Sequence, residues 1–408
     1  MICDNMLSFP HLIRYCVLCI CLTLLGGCSA ILRNPVPEDI HLQASVLGRQ
    51  DLRFWGDQQQ LGQHPAFDPA NVVSLEDSYG GIMHTEHHYL AISGGGADGA
   101  YGAGVLVGWS EQGTRPEFTM VTGISTGALT APFAFLGSDY DRQLQELYTT
   151  LDSSSIFDRL SIFRIIRGDS VVDSAPLSRM LEKHITDQLI ADIARQYRRG
   201  RSLHIGTTNL DAGRPVIWNI GRIADSGHPD AGGLIRQVLL ASASIPGVFP
   251  PAYIRVQGPD GSTYQEMHVD GGTSSQMFLY PSRTNWAKLM KLLDVQGTPT
   301  AYLIRNSRVQ AEYDPVRERV PDIAARSVAS LIRTQGIGDI YRIAAITHRD
   351  GVNVELTWIP MTAIRDPGDE VFDPQYMSAL FDFGYQRALG GSAWSTVDIS
   401  KLVEVQER

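Results

Sequence analysis

The chain has 408 residues, 43% hydrophobic and 19% charged, with 34 Lys and Arg against 44 Asp and Glu, giving a formal net charge of −10. That apolar content excludes disorder and low-complexity scaffolds, and the length accommodates one large α/β domain or two smaller ones. The acidic balance argues against nucleic acid as a partner and weakens attraction to anionic lipid, so membrane contact requires an anchor or an apolar surface.

All five cysteines lie at the front of the chain: Cys3, Cys16, Cys19, Cys21 and Cys28. The body from Ser29 to Arg408 therefore lacks a thiol for a disulfide, a nucleophile or a Cys-ligated zinc. Residues 1–27 have the pattern of an export signal, with Arg14 as a weak positive region before an apolar run from Tyr15 to Leu25. As a helix this run spans roughly 17 Å, short of the roughly 30 Å of bilayer hydrocarbon. It ends in Leu25-Gly26-Gly27-Cys28, which resembles a bacterial lipoprotein lipobox. The resemblance implies cleavage before Cys28 and lipidation of Cys28. With Ser29 following, it implies transfer to the outer membrane of a bacterial envelope, on either face. An ordinary signal peptide is the alternative, and Met6 is an alternative start. Residues 28–86, with Pro35, Pro37, Pro65 and Pro69 among polar residues, read as a tether and peripheral segment before a body at 87–408.

Within the body, Tyr89 to Ser93 is a short apolar strand stopped by a glycine cluster, and about Gly99 to Glu111 reads as a helix. Phe118 to Thr122 is a second strand and Ala128 to Leu136 a helix that Pro132 would bend. Ile156, Phe157, Leu160, Ile162, Phe163, Ile165 and Ile166 crowd the next segment, suited equally to an acyl groove and to ordinary core. Leu177 to Arg198 predicts one long helix. Leu203 to Thr208 and Pro215 to Ile220 predict strands, and Ile235 to Ala243 a helix. His268-Val269-Asp270 ends a strand stopped by Gly271-Gly272. Thr300 to Ile304 is a strand, Ile323 to Ile346 mostly helix, and Val352 to Pro360 a strand. Strands alternating with helices predict a mainly parallel α/β sheet covered on both faces, with ligands at the carboxyl ends of the strands.

Gly123-Ile124-Ser125-Thr126-Gly127 fits G-x-S-x-G between a strand and a helix. A serine on so sharp a turn adopts strained backbone angles, and glycines two residues to either side avoid the clash. The turn also sets Ser125 at a helix N-terminus, where negative charge is favoured. Upstream, Gly94-Gly95-Gly96-Ala97-Asp98-Gly99 also satisfies the dinucleotide pattern G-x-G-x-x-G. That reading expects an acid at the end of the second strand, where the serine turn stands instead. The loop fits better as an oxyanion hole of backbone N–H groups from Gly94, Gly95 and Gly96, with Gly95 and Gly96 the best donors.

A serine nucleophile needs a proton acceptor. Asp270, at a strand end before Gly271-Gly272, completes a set of ordered motifs that resembles the patatin-like phospholipases, serine acyl hydrolases that use a Ser–Asp dyad. The matching stretches are Gly94 to Gly99, Gly123 to Gly127, Ala241 to Pro250 and Asp270 to Gly272, all within 89–273. The resemblance implies a three-layer α/β/α fold, Ser125 as nucleophile, Asp270 as base, an acyl-enzyme intermediate and a lipid or acyl-ester substrate. It implies neither metal nor organic cofactor. Two features bear on it. Asp98 stands where many phospholipase members carry Arg or Lys; an acid there would repel phosphate, which counts against a phosphodiester-containing substrate but not against ester hydrolysis and leaves phospholipid, lysophospholipid and neutral acyl ester open, while Asp98 reads rather more readily as a solvent-facing helix residue than as a substrate contact. Free Asp is also a far weaker base than free His, so its site must raise its pKa, with desolvation by the bound acyl chain expected to help, or hold Ser125 very close. A triad through His348 is the rival mechanism, and a non-catalytic envelope lipoprotein serving as an interaction module is the rival function. His84, His87 and His88 form a loop cluster better read as solvated than as metal ligands. Oligomeric state is left open.

Overall fold

Short β-branched and apolar runs cut off by glycine become the central strands, and the longer amphipathic runs between them become covering helices. A computed structural model describes residues 33–57, 72–149, 174–282, 284–313, 315–365 and 372–397. Residues 1–27, Cys28 and the apolar stretch from Ile156 to Ile166 lie outside the described residues. In chain order the elements are β1 (Arg53–Trp55), α1 (Val72–Tyr79), β2 (Glu86–Ile92), α2 (Gly99–Gln112), β3 (Met120–Ile124), α3 (Thr126–Leu136), α4 (Asp141–Thr149), α5 (Ala175–His184) and α6 (Asp187–Arg198). They continue with β4 (Ser202–Asn209), β5 (Arg214–Asn219), α7 (Ile220–Ala224), α8 (Ala231–Ser242), β6 (Ala252–Gln257), β7 (Thr263–Asp270) and α9 (Trp286–Leu292). The last are β8 (Gln296–Arg305), α10 (Val320–Asp350), β9 (Asn353–Trp358), α11 (Pro374–Leu389) and β10 (Ser395–Thr396).

The strands form one mixed sheet in the order β1-β5-β4-β3-β2-β8-β9-β10, with β7 joined to β4 and β6 to β7. The centre, from β4 to β9, is parallel. The flanking pairs β1–β5, β5–β4 and β9–β10 are antiparallel. Strand β3 is buried along its whole length, as a central strand covered on both faces must be. Its neighbours sort by alternation. Leu90, Ile92, Val121, Leu203 and Ile205 enter one core with residues of α2, α3 and α8. Tyr89, Ala91, Met120, Ala301 and Leu303 enter a second core with Ile340, Ile343 and Ala344 of α10. Two cores on two faces make the expected three-layer α/β/α arrangement.

One expectation needs correction. The segment Leu177 to Arg198 is two helices, because Thr186 takes an extended conformation and caps α6 by accepting from the Leu189 N–H at 3.2 Å. The described part of the segment before residue 87 adds an edge strand to the sheet. Strand β1 pairs with β5, and Arg53 extends over the Trp218 ring of β5 to a bidentate ion pair with the buried Glu266 of β7. Glu266 also meets His268 at 3.0 Å, and His268 meets Thr207 at 2.9 Å. Burial disfavours the Glu266 charge, but Arg53 and His268 outweigh it and hold the carboxyl far below its usual range.

Candidate active site

The topology itself brings the two predicted groups together. Strands β3 and β7 share one edge of β4. Parallel β3 covers it as far as the pair Ile124–Gly206, and antiparallel β7 takes over at the pair Thr207–Asp270. Two strands that run toward each other along one edge must meet carboxyl end to carboxyl end. Ser125 and Asp270 stand at that meeting point, although 144 residues lie between them in sequence.

Ser125 has φ 56° and ψ −126°, left-handed backbone for a non-glycine residue, and is 5% exposed. Its N–H donates to Ser242 Oγ at 3.0 Å, and that hydroxyl donates to the Gly206 carbonyl at 2.7 Å. Helix α8 thus pins the elbow to β4. A Cβ on Gly127 would lie 2.4 Å from the Ile92 carbonyl oxygen and 2.6 Å from that of Ser93. One on Gly123 would overlap the Gly127 backbone. Gly127→Ala is therefore expected to lower stability by about 3 kcal/mol or more. Gly233→Ala, in α8 with open space around it, should raise stability by about 0.5–1 kcal/mol. Urea denaturation of the pair reads both.

Asp270 is 5% exposed. Its N–H donates to the Ser244 carbonyl at 2.9 Å, and its Oδ1 accepts from the Gly272 N–H at 2.7 Å. Oδ2 is buried with no hydrogen-bond partner among the described residues. Burial raises the carboxyl pKa to about 7, against the opposing pull of the Ser125 hydroxyl and the Gly272 N–H. The serine is thus near enough to act on the carboxyl without completing a hydrogen bond of standard geometry, a looseness common in sites without substrate. Burial thus shifts the carboxyl in the direction that the weak-base difficulty requires.

The glycine loop lies across the elbow. A Cβ on Gly94 would be 3.1 Å from Ser125 Cβ, one on Gly99 2.0 Å from Thr126 Oγ1, and one on Gly95 2.0 Å from the Asn306 carbonyl oxygen. Gly94 is a correction to the expected donor set, because its N–H already donates to the Gln276 carbonyl at 3.2 Å. The N–H groups of Gly95 and Gly96 have no acceptor among the described residues. Gly96, Ser125, Leu129, Leu147, Leu177, Met180, Phe249 and Met377 line a narrow apolar cavity of about 40 Å³. A larger cavity, ≈ 930 Å³, is lined by neither Ser125 nor Asp270; Met120, Ile124 and Trp286 on the other face of the sheet border it.

Three supports were not anticipated from sequence. Asp98 is half-buried rather than solvent-facing and accepts from the Tyr376 hydroxyl at 2.5 Å, which ties the glycine loop to α11. Asn306 donates from its side chain to the Ser93 carbonyl at 3.0 Å and accepts from the Gly102 N–H at 3.1 Å. Asp339 of α10 accepts from the N–H groups of Gln276 at 2.6 Å and Met277 at 3.1 Å and from Ser275 Oγ at 3.0 Å. Through the Gln276 carbonyl it holds Gly94 as well. Asp339→Ala is expected to lower stability by about 2–4 kcal/mol by stranding buried N–H groups, and to slow turnover more than it changes KM.

The histidines serve elsewhere. His87 is buried against the Ile82 carbonyl and the Tyr89 hydroxyl, and His84 is exposed beside Asp294. His348 is in the last turn of α10, just before β9 begins, which puts it at the amino rim of the sheet, opposite Ser125. Among the described residues no group of three His, Cys, Asp or Glu is placed to hold a metal.

Fold and turn together define a three-layer α/β protein built around a strand–serine–helix elbow. Residues 90–281 match the family model of the patatin-like phospholipases, so the chain carries a patatin-like phospholipase domain. Among solved structures it is similar to VipD from Legionella pneumophila, at 14% identity over 77% of this chain and 68% of that one, with a TM-score of 0.36. It is also similar to full-length ExoU from the type III secretion system of Pseudomonas aeruginosa, solved with SpcU, at 16% identity over 78% of this chain and 58% of that one, with a TM-score of 0.26. No curated protein matches the chain.

Proposed function

We propose that the protein hydrolyses carboxylic esters of lipids through a Ser125–Asp270 dyad. Ser125 Oγ attacks the ester carbonyl while Asp270 takes the hydroxyl proton. The Gly95 and Gly96 N–H groups receive the oxyanion of the tetrahedral intermediate, helped by the N-terminus of α3. Collapse expels the alcohol, which carries away the proton held by Asp270. Water then attacks acyl-Ser125, gives its proton to Asp270, and the fatty acid leaves as Ser125 regains its hydrogen. The apolar lining of the small cavity beside Ser125 favours the first carbons of an acyl chain over a headgroup.

The observation that carries this reading is the buried carboxylate beside the elbow, with one oxygen unpartnered and its pKa raised to about 7. Within it, we assign a phospholipid, lysophospholipid or neutral acyl ester as substrate; the acid Asp98 in the glycine loop disfavours phosphate close to Ser125 and so favours the neutral ester. We also assign lipidation at Cys28 and anchoring to the outer membrane of a bacterial envelope, on the motif Leu25 to Cys28. A panel of phospholipids, lysophospholipids and simple esters, run on the wild type and on Ser125→Ala, tests the reaction. Turnover lost in the variant is expected. Absence of turnover and of fluorophosphonate labelling in the wild type would favour the non-catalytic interaction module. Metabolic labelling with a fatty acid, lost in Cys28→Ala, tests the anchor.

A further inference from the structure

Large apolar side chains exposed to water are few on this protein, and they are not scattered. Twelve are found among the described residues, and nine of them fall in two stretches, 313–332 and 361–364. The most open are Tyr313 at 95%, Val320 at 81% and Leu331 at 70%. The stretches are neighbours in space, since Arg308 donates to the carbonyls of Ala363 and Ile364 at 3.3 and 2.8 Å.

The first half of α10 is turned the wrong way for a soluble helix. Val320, Ile323, Val328 and Leu331 share one face by helical spacing and are all exposed. Arg326 and Arg333 occupy the other face and donate to the Glu312 and Val309 carbonyls, at 2.6 and 3.5 Å, on the protein side. The apolar face therefore points away from the protein. Its place matters too. Both stretches follow the carboxyl ends of parallel strands β8 and β9, on the rim where Ser125 and the glycine loop stand. The patch begins just beyond Asn306, against which Gly95 packs.

We infer that this rim patch is the face with which the protein lies on a lipid surface, delivering substrate to the Ser125 site without passage through bulk water. The inference rests on the lipid-esterase reading for its purpose but not for its test. A contiguous apolar patch of this kind marks an interaction site, and its charge suits lipid. Residues 313–332 hold three Arg against three acidic residues, net 0 in a chain of −10, so the protein's overall negative charge is absent where phosphate headgroups would lie. No helix among the described residues is long and apolar enough to cross a membrane, which makes this a surface contact.

The test is hydrogen exchange on the full chain carrying Ser125→Ala, so that lipid is not consumed, with and without vesicles of phosphatidylcholine and phosphatidylglycerol. Exchange at 313–332 and 361–364 is expected to slow by about tenfold or more on adding vesicles, with no matching change at the amino rim around 294–297. Because the readout is local, a lipid anchor at the N-terminus does not produce it. Val328→Asp with Leu331→Asp should abolish the slowing, and so should Tyr313→Asp, whose side chain is too exposed for folding to be at stake. All three substitutions, made in the wild-type background, should leave hydrolysis of a water-soluble short-chain ester unchanged. Vesicles that leave exchange in these stretches unaltered would overturn the inference. So would protection that appears with protein concentration in the absence of vesicles, which would assign the patch to a second copy.

Discussion

Ser125→Ala is expected to reduce ester hydrolysis by about 10⁴-fold or more and to abolish fluorophosphonate labelling, with the fold intact. The hydroxyl makes no bond that holds the structure together. It is the backbone N–H of Ser125 that reaches Ser242, and the carbonyl that starts α3. The left-handed backbone at this residue stores about 1–3 kcal/mol of strain, which alanine does not relieve. Glycine does, so Ser125→Gly should be more stable than Ser125→Ala by about 1 kcal/mol while equally inactive. Guanidinium denaturation of the two variants, with turnover of each, separates strain from chemistry. Equal stability would mean that the elbow is relaxed. Residual labelling in either variant would place the nucleophile elsewhere.

What could be foreseen at this site follows from how its constraints are written into the chain. Backbone crowding at the elbow leaves no room for a side chain at Gly123 or Gly127, and the same holds where the glycine loop crosses Thr126 and Asn306. Such constraints act at fixed short spacings, so they are legible in a single sequence. The parallel order of the sheet was legible for the same reason, through apolar runs alternating with helical ones. The supports were not. Tyr376 reaches Asp98 across 278 positions, Asp339 reaches Gln276 across 63, and Arg53 reaches Glu266 across 213. A side-chain contact between distant residues leaves no local period. Strand β1, three residues long, is too short to show alternation. Helix α11 did carry a signal that was overlooked. Asp373 before Pro374 is a capping residue followed by proline at the first helical position, and Asp373 indeed accepts from the N–H groups of Gln375 and Tyr376. Tyr376, Asn306 and Asp339 lie outside residues 90–281, so the glycine loop is braced by parts of the chain beyond the matched domain.

Asp270→Asn should lose activity and gain stability at the same time, and the pH dependence of the gain distinguishes its cause. The carboxyl has an ordinary pKa of 3.8 and is raised by burial to about 7 in the folded protein. Between those values the folded state holds a proton that the unfolded state has released. Stability therefore falls as pH rises across this window and levels off above about 7. Asparagine keeps the carbonyl oxygen that accepts from the Gly272 N–H and has no charge to desolvate. At pH 8 the variant should be more stable than the wild type by a few kcal/mol, on the order of the linkage for such a shift, and the difference should vanish below about pH 4. Activity should move in the opposite sense. Wild-type kcat/KM should climb with pH to a plateau above about 7, as the carboxylate that accepts the Ser125 proton forms, and the variant should fall by about 10²–10⁴-fold. Denaturation curves and initial rates from pH 4 to 9 test both halves. An isolated stability gain that does not depend on pH would assign the effect to packing, and near-native turnover in the variant would remove Asp270 from the chemistry. The two slopes share one origin. The burial that makes this carboxylate costly to ionise is also what makes it basic enough to accept a serine proton near neutral pH, so an environment tuned for stability at this position is one in which the dyad does not work.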